Sequence, residues 1–113
     1  MTHTQQAIDA SEVSDLIAEA LGATGILPPM ARLEELDRLL RVEIARLVQV
    51  ATRQADAIPL RSREWYALVQ AAERAADVTQ YQLGAAPLAG AIHIGELARR
   101  VCELHDTVKA GET

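Results

Sequence analysis

The residues best suited to chemistry stand late in the sequence. His93 and Glu96 are three positions apart and would share one face of a helix. Helical bundles that hold two iron ions use Glu-x-x-His pairs on facing helices, with further Glu side chains. Here the order is reversed and the pair occurs once. We therefore expect no metal and no other cofactor, and interpret the pair as part of a solvated helix face.

Cys102 is the only cysteine in the chain. It lies three positions before His105, so a catalytic thiol beside an imidazole stays open as an alternative. A buried, unreactive side chain is the usual interpretation of a cysteine without a partner at metal-binding spacing. We predict no catalytic residue, and the sequence favours a protein that is not an enzyme.

Arginine is concentrated in the second quarter of the chain. Arg38, Arg41, Arg46 and Arg53 lie along one predicted helix, where an inward guanidinium could hold a small dicarboxylate. Most of them have Glu or Asp within four positions. This spacing predicts ion pairs at the surface.

Trp65 and Tyr66 open another predicted helix, in a chain with only 3% aromatic residues. Trp65 falls on the apolar face, where it would anchor the end of a bundle. The alternative is one wall of a ligand pocket between the helices, near Trp65 and residues 90–95, or a hot spot at a partner surface.

Four helices are predicted to position these residues, with bounds near 10–21, 28–58, 63–83 and 87–109. Asp9 is the predicted cap of the first helix and Ser62 that of the third. No segment alternates with period two, so we expect almost no strand. Short linkers between long helices imply antiparallel neighbours. The predicted fold is all-α: an antiparallel bundle of about four helices, three long and one shorter N-terminal, forming one domain over 1–113 with a flexible segment 1–8.

The predicted helices carry more apolar residues than one small bundle can bury. The second helix has a main stripe of Leu and Ile at steps of three or four, and other apolar residues lie beside it. Exposed apolar surface of this kind marks an interface. We predict a homodimer, with these interface candidates off the main stripes: Leu39, Val42, Val50 and Ile92, next to His93.

Composition narrows the class of protein. A chain of 113 residues and 12.2 kDa is one domain in size, and 50% hydrophobic residues argue against disorder. A net charge of −5 argues against nucleic acid as a partner. No run reaches 18 apolar residues, so no membrane partner is expected. The N-terminus lacks the features of a signal peptide, and the chain has a single cysteine, so we predict a cytoplasmic protein.

Three features resemble a group of short actinobacterial helical proteins of unknown function, loosely labelled natural-product biosynthesis proteins. They are the Leu-rich helix from Leu33 to Leu47, the start of the next helix at Trp65-Tyr66, and a last helix with His93, Leu97-Ala98-Arg99 and Cys102. The resemblance covers about residues 30–105. It implies an association with secondary metabolism and no known reaction.

A weaker resemblance is to all-helical chorismate mutases, which hold a dicarboxylate with inward Arg and Lys. The only lysine here, Lys109, stands near the end of the chain. Taken together, the sequence predicts a non-enzymatic interaction protein. We expect a homodimer that serves as a regulatory or accessory factor and can also bind another protein. The alternative is a small-ligand binder or small helical enzyme with a pocket between helices.

Overall fold

The computed structural model describes residues 10–112, and in this range the chain is an antiparallel bundle of four helices without strands. The all-α fold class predicted from the sequence is confirmed. The predicted cap Asp9 and the segment 1–8 lie outside the described residues. Between residues 10 and 112, none of the helices combines the length and apolar character needed to cross a membrane. The helices are α1 Ala10–Leu21, α2 Met30–Asp56, α3 Arg63–Val78 and α4 Pro87–Gly111.

Local chemistry sets most helix ends. Pro29, in extended backbone, precedes α2, and Pro87 occupies the first turn of α4, where a missing N–H costs no helical hydrogen bond. The Ser62 hydroxyl accepts a hydrogen bond from the backbone N–H of Trp65 at 3.2 Å, which confirms Ser62 as the cap of α3.

α3 ends at Val78, five positions before its predicted end. The Thr79 hydroxyl donates to the carbonyl of Ala76 at 2.6 Å, and the carbonyls of Thr79 and Tyr81, just after the helix, accept from the side chain of Arg41 in α2. Carbonyls at a helix end need donors, and a partner from another helix removes the need for a further turn. The prediction to residue 83 was wrong because it considered only the local sequence.

The central pair of the bundle is α2 and α4, which run parallel. At one end Gln54 donates to the carbonyl of Val108 at 3.1 Å. At the other end, a methyl group added at Gly90 would lie 3.5 Å from the side chain of Leu33 and 3.3 Å from that of Leu83, so the Leu33 side chain packs directly against the backbone of Gly90. α3 packs on one side of this pair, and α1 packs on the other side, mainly on α4. The core is aliphatic, and its largest fully buried apolar side chains are Leu33, Leu36, Leu40, Ile44, Leu47, Ile94, Leu97, Val101 and Leu104.

Candidate functional site

Three helices meet around the guanidinium of Arg41. Its Nε donates to Asp37 Oδ1 at 2.9 Å, and its Nη1 donates to the carbonyl of Thr79 at 2.7 Å. Its Nη2 donates to the carbonyl of Tyr81 and lies 3.2 Å from Nε2 of His93 in α4. We call these five residues the Arg41 cluster. It fastens the end of α3 to α2 and α4, and it corrects the expectation that Arg41 forms only a surface pair.

His93 is the titratable base of this cluster. Burial lowers the pKa of His93 below its ordinary value of 6.5, the Asp37 carboxylate opposes this change, and the Arg41 cation adds to it. Nε2 lies 3.5 Å from Asp37 Oδ1 and 3.2 Å from Nη2 of Arg41. A guanidinium only donates, so a hydrogen bond from Arg41 requires an unprotonated Nε2. Protonation would place a second cation against the guanidinium of Arg41.

We expect this arrangement to make stability fall as pH decreases through 6.5. The folded-state pKa of His93 is lowered, so the unfolded chain binds the proton first and gains free energy from it. The contribution of a neutral His93 is fully present above pH 6.5. Urea unfolding at pH 7.5 and pH 5.5 measures how much stability is lost between these two pH values. This difference should be smaller in His93→Gln than in the wild type.

His105→Gln is the matched control for this measurement, because His105 lies on the same helix at a more exposed position. It should leave the pH dependence unchanged. The same pH dependence in His93→Gln as in the wild type would contradict the assignment.

A cleft of about 370 Å³ lies beside the Arg41 cluster, between α3 and α4. Its cations are already neutralised: Arg74 forms hydrogen bonds to both carboxylate oxygens of Glu103, and Arg100 contacts Glu103 at 3.1 Å and Glu96 at 3.3 Å. The guanidinium of Arg74 holds the pKa of Glu103 below its usual range. An anion entering the cleft would have to displace these carboxylates, so the cleft is poorly suited to dicarboxylate binding.

A groove of about 520 Å³ between α1, α2 and α4 contains Cys102 and His105. Burial raises the pKa of the Cys102 thiol, and the nearby Asp106 carboxylate raises it further, so the thiol is protonated at neutral pH. His105 Nδ1 faces Asp106 Oδ1 at 3.5 Å. These contacts do not favour a thiol nucleophile. In the described part of the chain, no group of three or more His, Cys, Asp or Glu could hold a metal ion.

Glu43 lines the same groove and is only 2% exposed. Both of its carboxylate oxygens accept hydrogen bonds from Arg46, one turn later in α2. We did not single out Glu43 from the sequence. Its spacing from Leu40 and Leu47, three and four positions, places it on the buried stripe and could have identified it.

Trp65 lines an open apolar groove of about 340 Å³ between α2 and α3, which we call the Trp65 groove. Tyr66 follows Trp65 and is more exposed. The two rings make an edge-to-face contact, with 5.1 Å between their centroids. Trp65 stands near the beginning of α3, whereas Gly90 lies at the opposite end of the bundle. The two therefore do not line a common ligand pocket. The groove is lined by Val48, Ala51, Thr52, Ala55, Asp56, Trp65, Leu68, Val69, Ala72, Glu73 and Ala76.

The four predicted interface residues are not brought together. Leu39 and Val50 are half-buried against the core, whereas Val42 and Ile92 are exposed. Val42 lies two positions from a core residue of α2, and Ile92 two positions from a core residue of α4, so each faces away from the shared core. Their role in an interface stays a prediction.

Among the described residues, six of the nine exposed large apolar side chains stand near the end of the bundle where α2 and α4 begin. No Asp, Glu, Lys or Arg stands between Glu19 and Arg32, or between Asp77 and Glu96. The fold brings these two segments to the same end, which we call the uncharged end. The absence of charge is readable from the sequence, but the meeting of the segments is not. Its exposed large side chains are Leu21, Ile26, Leu27, Tyr81, Leu88 and Ile92.

Comparison with known proteins gives one finding. The model of a "Family of unknown function (DUF6415)" matches residues 11–112, which cover all but the ends of the chain. No curated protein and no solved structure matches. The chain belongs to DUF6415, a family of unknown function.

Proposed function

We propose that this protein is a non-enzymatic interaction protein that forms a homodimer through its uncharged end and serves as a regulatory or accessory factor. One observation carries the proposal: six large apolar side chains are exposed on two segments, residues 20–31 and 78–95, that contain no Asp, Glu, Lys or Arg and meet at one end of the bundle. Exposed apolar patches of this kind mark interaction sites in globular proteins.

The distribution of charge favours a second copy of the chain as the partner that covers the uncharged end. Each copy carries a net charge of −5, so two copies repel one another, and this repulsion is smaller when the surfaces that meet carry few charges. An uncharged patch is complementary to itself, as a two-fold symmetric interface requires. The arginines near this end, Arg32 and Arg41, are paired with Glu19 and Asp37, which weakens their attraction for anionic lipid headgroups and makes a membrane surface a poorer occupant.

The interior supports a role without catalysis. The core consists of aliphatic side chains, and the buried charged residue among those described, Glu43, is held by Arg46. The Cys102 thiol is protonated, and the cations of the α3–α4 cleft are paired with carboxylates. A cavity with convergent polar groups would have favoured an enzyme or a ligand binder instead.

Ile26→Glu tests the proposal. Ile26 is 87% exposed in the loop between α1 and α2, so the substitution leaves the fold intact and adds a charge to the proposed interface. We expect the wild type to have twice the monomer mass of 12.2 kDa at micromolar concentration, and the variant to dissociate at concentrations about tenfold higher or more. Sedimentation velocity over a concentration series measures both.

Leu60→Glu is the matched control. Leu60 is 70% exposed in the loop at the other end of the bundle, and its replacement adds the same charge. The control should dimerise like the wild type. A wild-type chain that stays monomeric at 100 times the lowest concentration tested, or an equal effect of both variants, would contradict the proposal.

A link to secondary metabolism rests on the resemblance described from the sequence and stays a prediction. The bundle, with its aliphatic core and apolar end, suits an accessory factor that contacts other proteins. The genes neighbouring the coding sequence would test this link, because a biosynthetic cluster contains enzymes that assemble one product. Recurrent placement among unrelated genes would argue against it.

A further inference from the structure

We propose that the Trp65 groove binds an amphipathic helix with basic flanks, supplied by a partner protein. The groove is the place where α2 and α3 lie side by side with no third helix over them. Its floor contains Ala51, Ala55 and Ala72, and small side chains allow the backbone of another helix to approach closely. Trp65 closes one end, where an aromatic wall contributes strongly to binding.

The shape fits a short helix. The α2 side of the groove extends from Val48 to Asp56, which is about 12 Å at the rise of an α-helix. A partner helix of two to three turns would cover it with apolar side chains at steps of three and four. The groove is long and open rather than enclosed, so it suits a helix better than a small molecule, which needs burial on most sides.

Charge selects the kind of helix. Asp56 and Glu73 are the charged residues that line the groove, and neither forms an ion pair within residues 10–112. The α3–α4 cleft is different, because its arginines are paired with Glu96 and Glu103. Two unpaired carboxylates favour Lys or Arg on the flanks of the occupant.

α1, the helix with the fewest contacts to the rest of the bundle, is not such a helix. α1 is the shortest helix, and its charged residues Glu12, Asp15 and Glu19 are all acidic. Placing it against Asp56 and Glu73 of a second copy would bring like charges together. We therefore assign the occupant to a different protein, and this proposal does not depend on dimerisation through the uncharged end.

Trp65 provides a direct measurement, because it is the only tryptophan in the chain. The probe is an 18-residue Tyr- and Trp-free peptide with Leu at steps of three and four and Lys elsewhere. We expect a saturable shift of Trp65 emission to shorter wavelength as the peptide covers the ring. A peptide with Glu in place of every Lys should cause no shift, because its charges would meet Asp56 and Glu73.

A pair of charge variants separates binding in the groove from general attraction to an acidic protein. Asp56→Lys with Glu73→Lys changes exposed residues, and we expect affinity for the Lys peptide to fall about tenfold relative to the control. The control, Asp15→Lys with Glu34→Lys, makes the same change in net charge at exposed sites outside the groove. Equal weakening in both would overturn the proposal, as would the absence of a Trp65 shift.

One further outcome identifies a different occupant. A shift of Trp65 emission when the protein alone is concentrated would show that a second copy covers the groove, and would overturn the proposal of a foreign helix. If Ile26→Glu weakens dimerisation while the peptide still shifts Trp65 emission, the two surfaces act separately. That is the result we expect.

Discussion

Arg41→Ala should lower the free energy of unfolding by about 3 kcal/mol, because it removes donors from several partly buried acceptors at once. The carbonyls of Thr79 and Tyr81 lose their charged donor, and the carboxylate of Asp37 loses its cation. The Asp37 side chain is 18% exposed, so water replaces the guanidinium only in part. Urea unfolding at pH 7.5 measures the loss.

The same variant should loosen a defined part of the molecule. Arg41 fastens the segment that follows α3, so amide hydrogen exchange should accelerate in residues 79–86 under native conditions. Arg41→Lys should restore less than half of the lost stability, since an ammonium group cannot reach the same acceptors as the planar guanidinium.

Arg38→Ala is the matched control for Arg41→Ala. Arg38 is three positions earlier in α2 and pairs with Glu35 at an exposed site. Pairs of this kind contribute little to stability, so the control should unfold like the wild type. If both alanine variants lost the same stability, the Arg41 cluster would not hold α3 as we infer.

Substitutions of Glu43 and Arg46 should change the free energy of unfolding in different directions. Arg46→Ala leaves the buried carboxylate of Glu43 without its cation, and because Arg46 is half-exposed we expect a loss of about 2 kcal/mol. Glu43→Met replaces the carboxylate with an apolar group of similar size. It should leave the free energy of unfolding unchanged or raise it by about 1 kcal/mol, since the cost of burying a charge disappears.

The double variant completes the comparison. With Met at position 43, Arg46→Ala removes no buried pair, so its effect should nearly vanish. Thermal and urea unfolding of the four proteins give the coupling energy between the two side chains. A loss of more than about 1 kcal/mol in Glu43→Met would contradict the expectation, and would mean that the carboxylate has a further partner in the groove under α1.

Much of the fold is encoded in local patterns. Leu33, Leu36 and Leu40 place one apolar stripe on α2, and this spacing alone predicts a long amphipathic helix. Ser62 and Pro87 mark the starts of α3 and α4, because capping and the missing proline N–H act within one turn. These features depend only on neighbours in sequence, and the structure confirms them.

The site could be predicted only in part. His93 was singled out, but its partners Asp37 and Arg41 lie more than 50 positions earlier in the chain, where they look like a surface pair. Periodicity orients each side chain around its own helix. It does not say which helix lies beside it or at what height.

The sequence by itself determined the helical class, most helix ends, and two long segments without charge. Only the tertiary structure decided that Arg41 ends α3 at Val78, that Glu43 is buried, and that both uncharged segments meet at one end of the bundle. The physical reason is that the first group follows from interactions within a turn or two. The second depends on packing between helices, which no local pattern records.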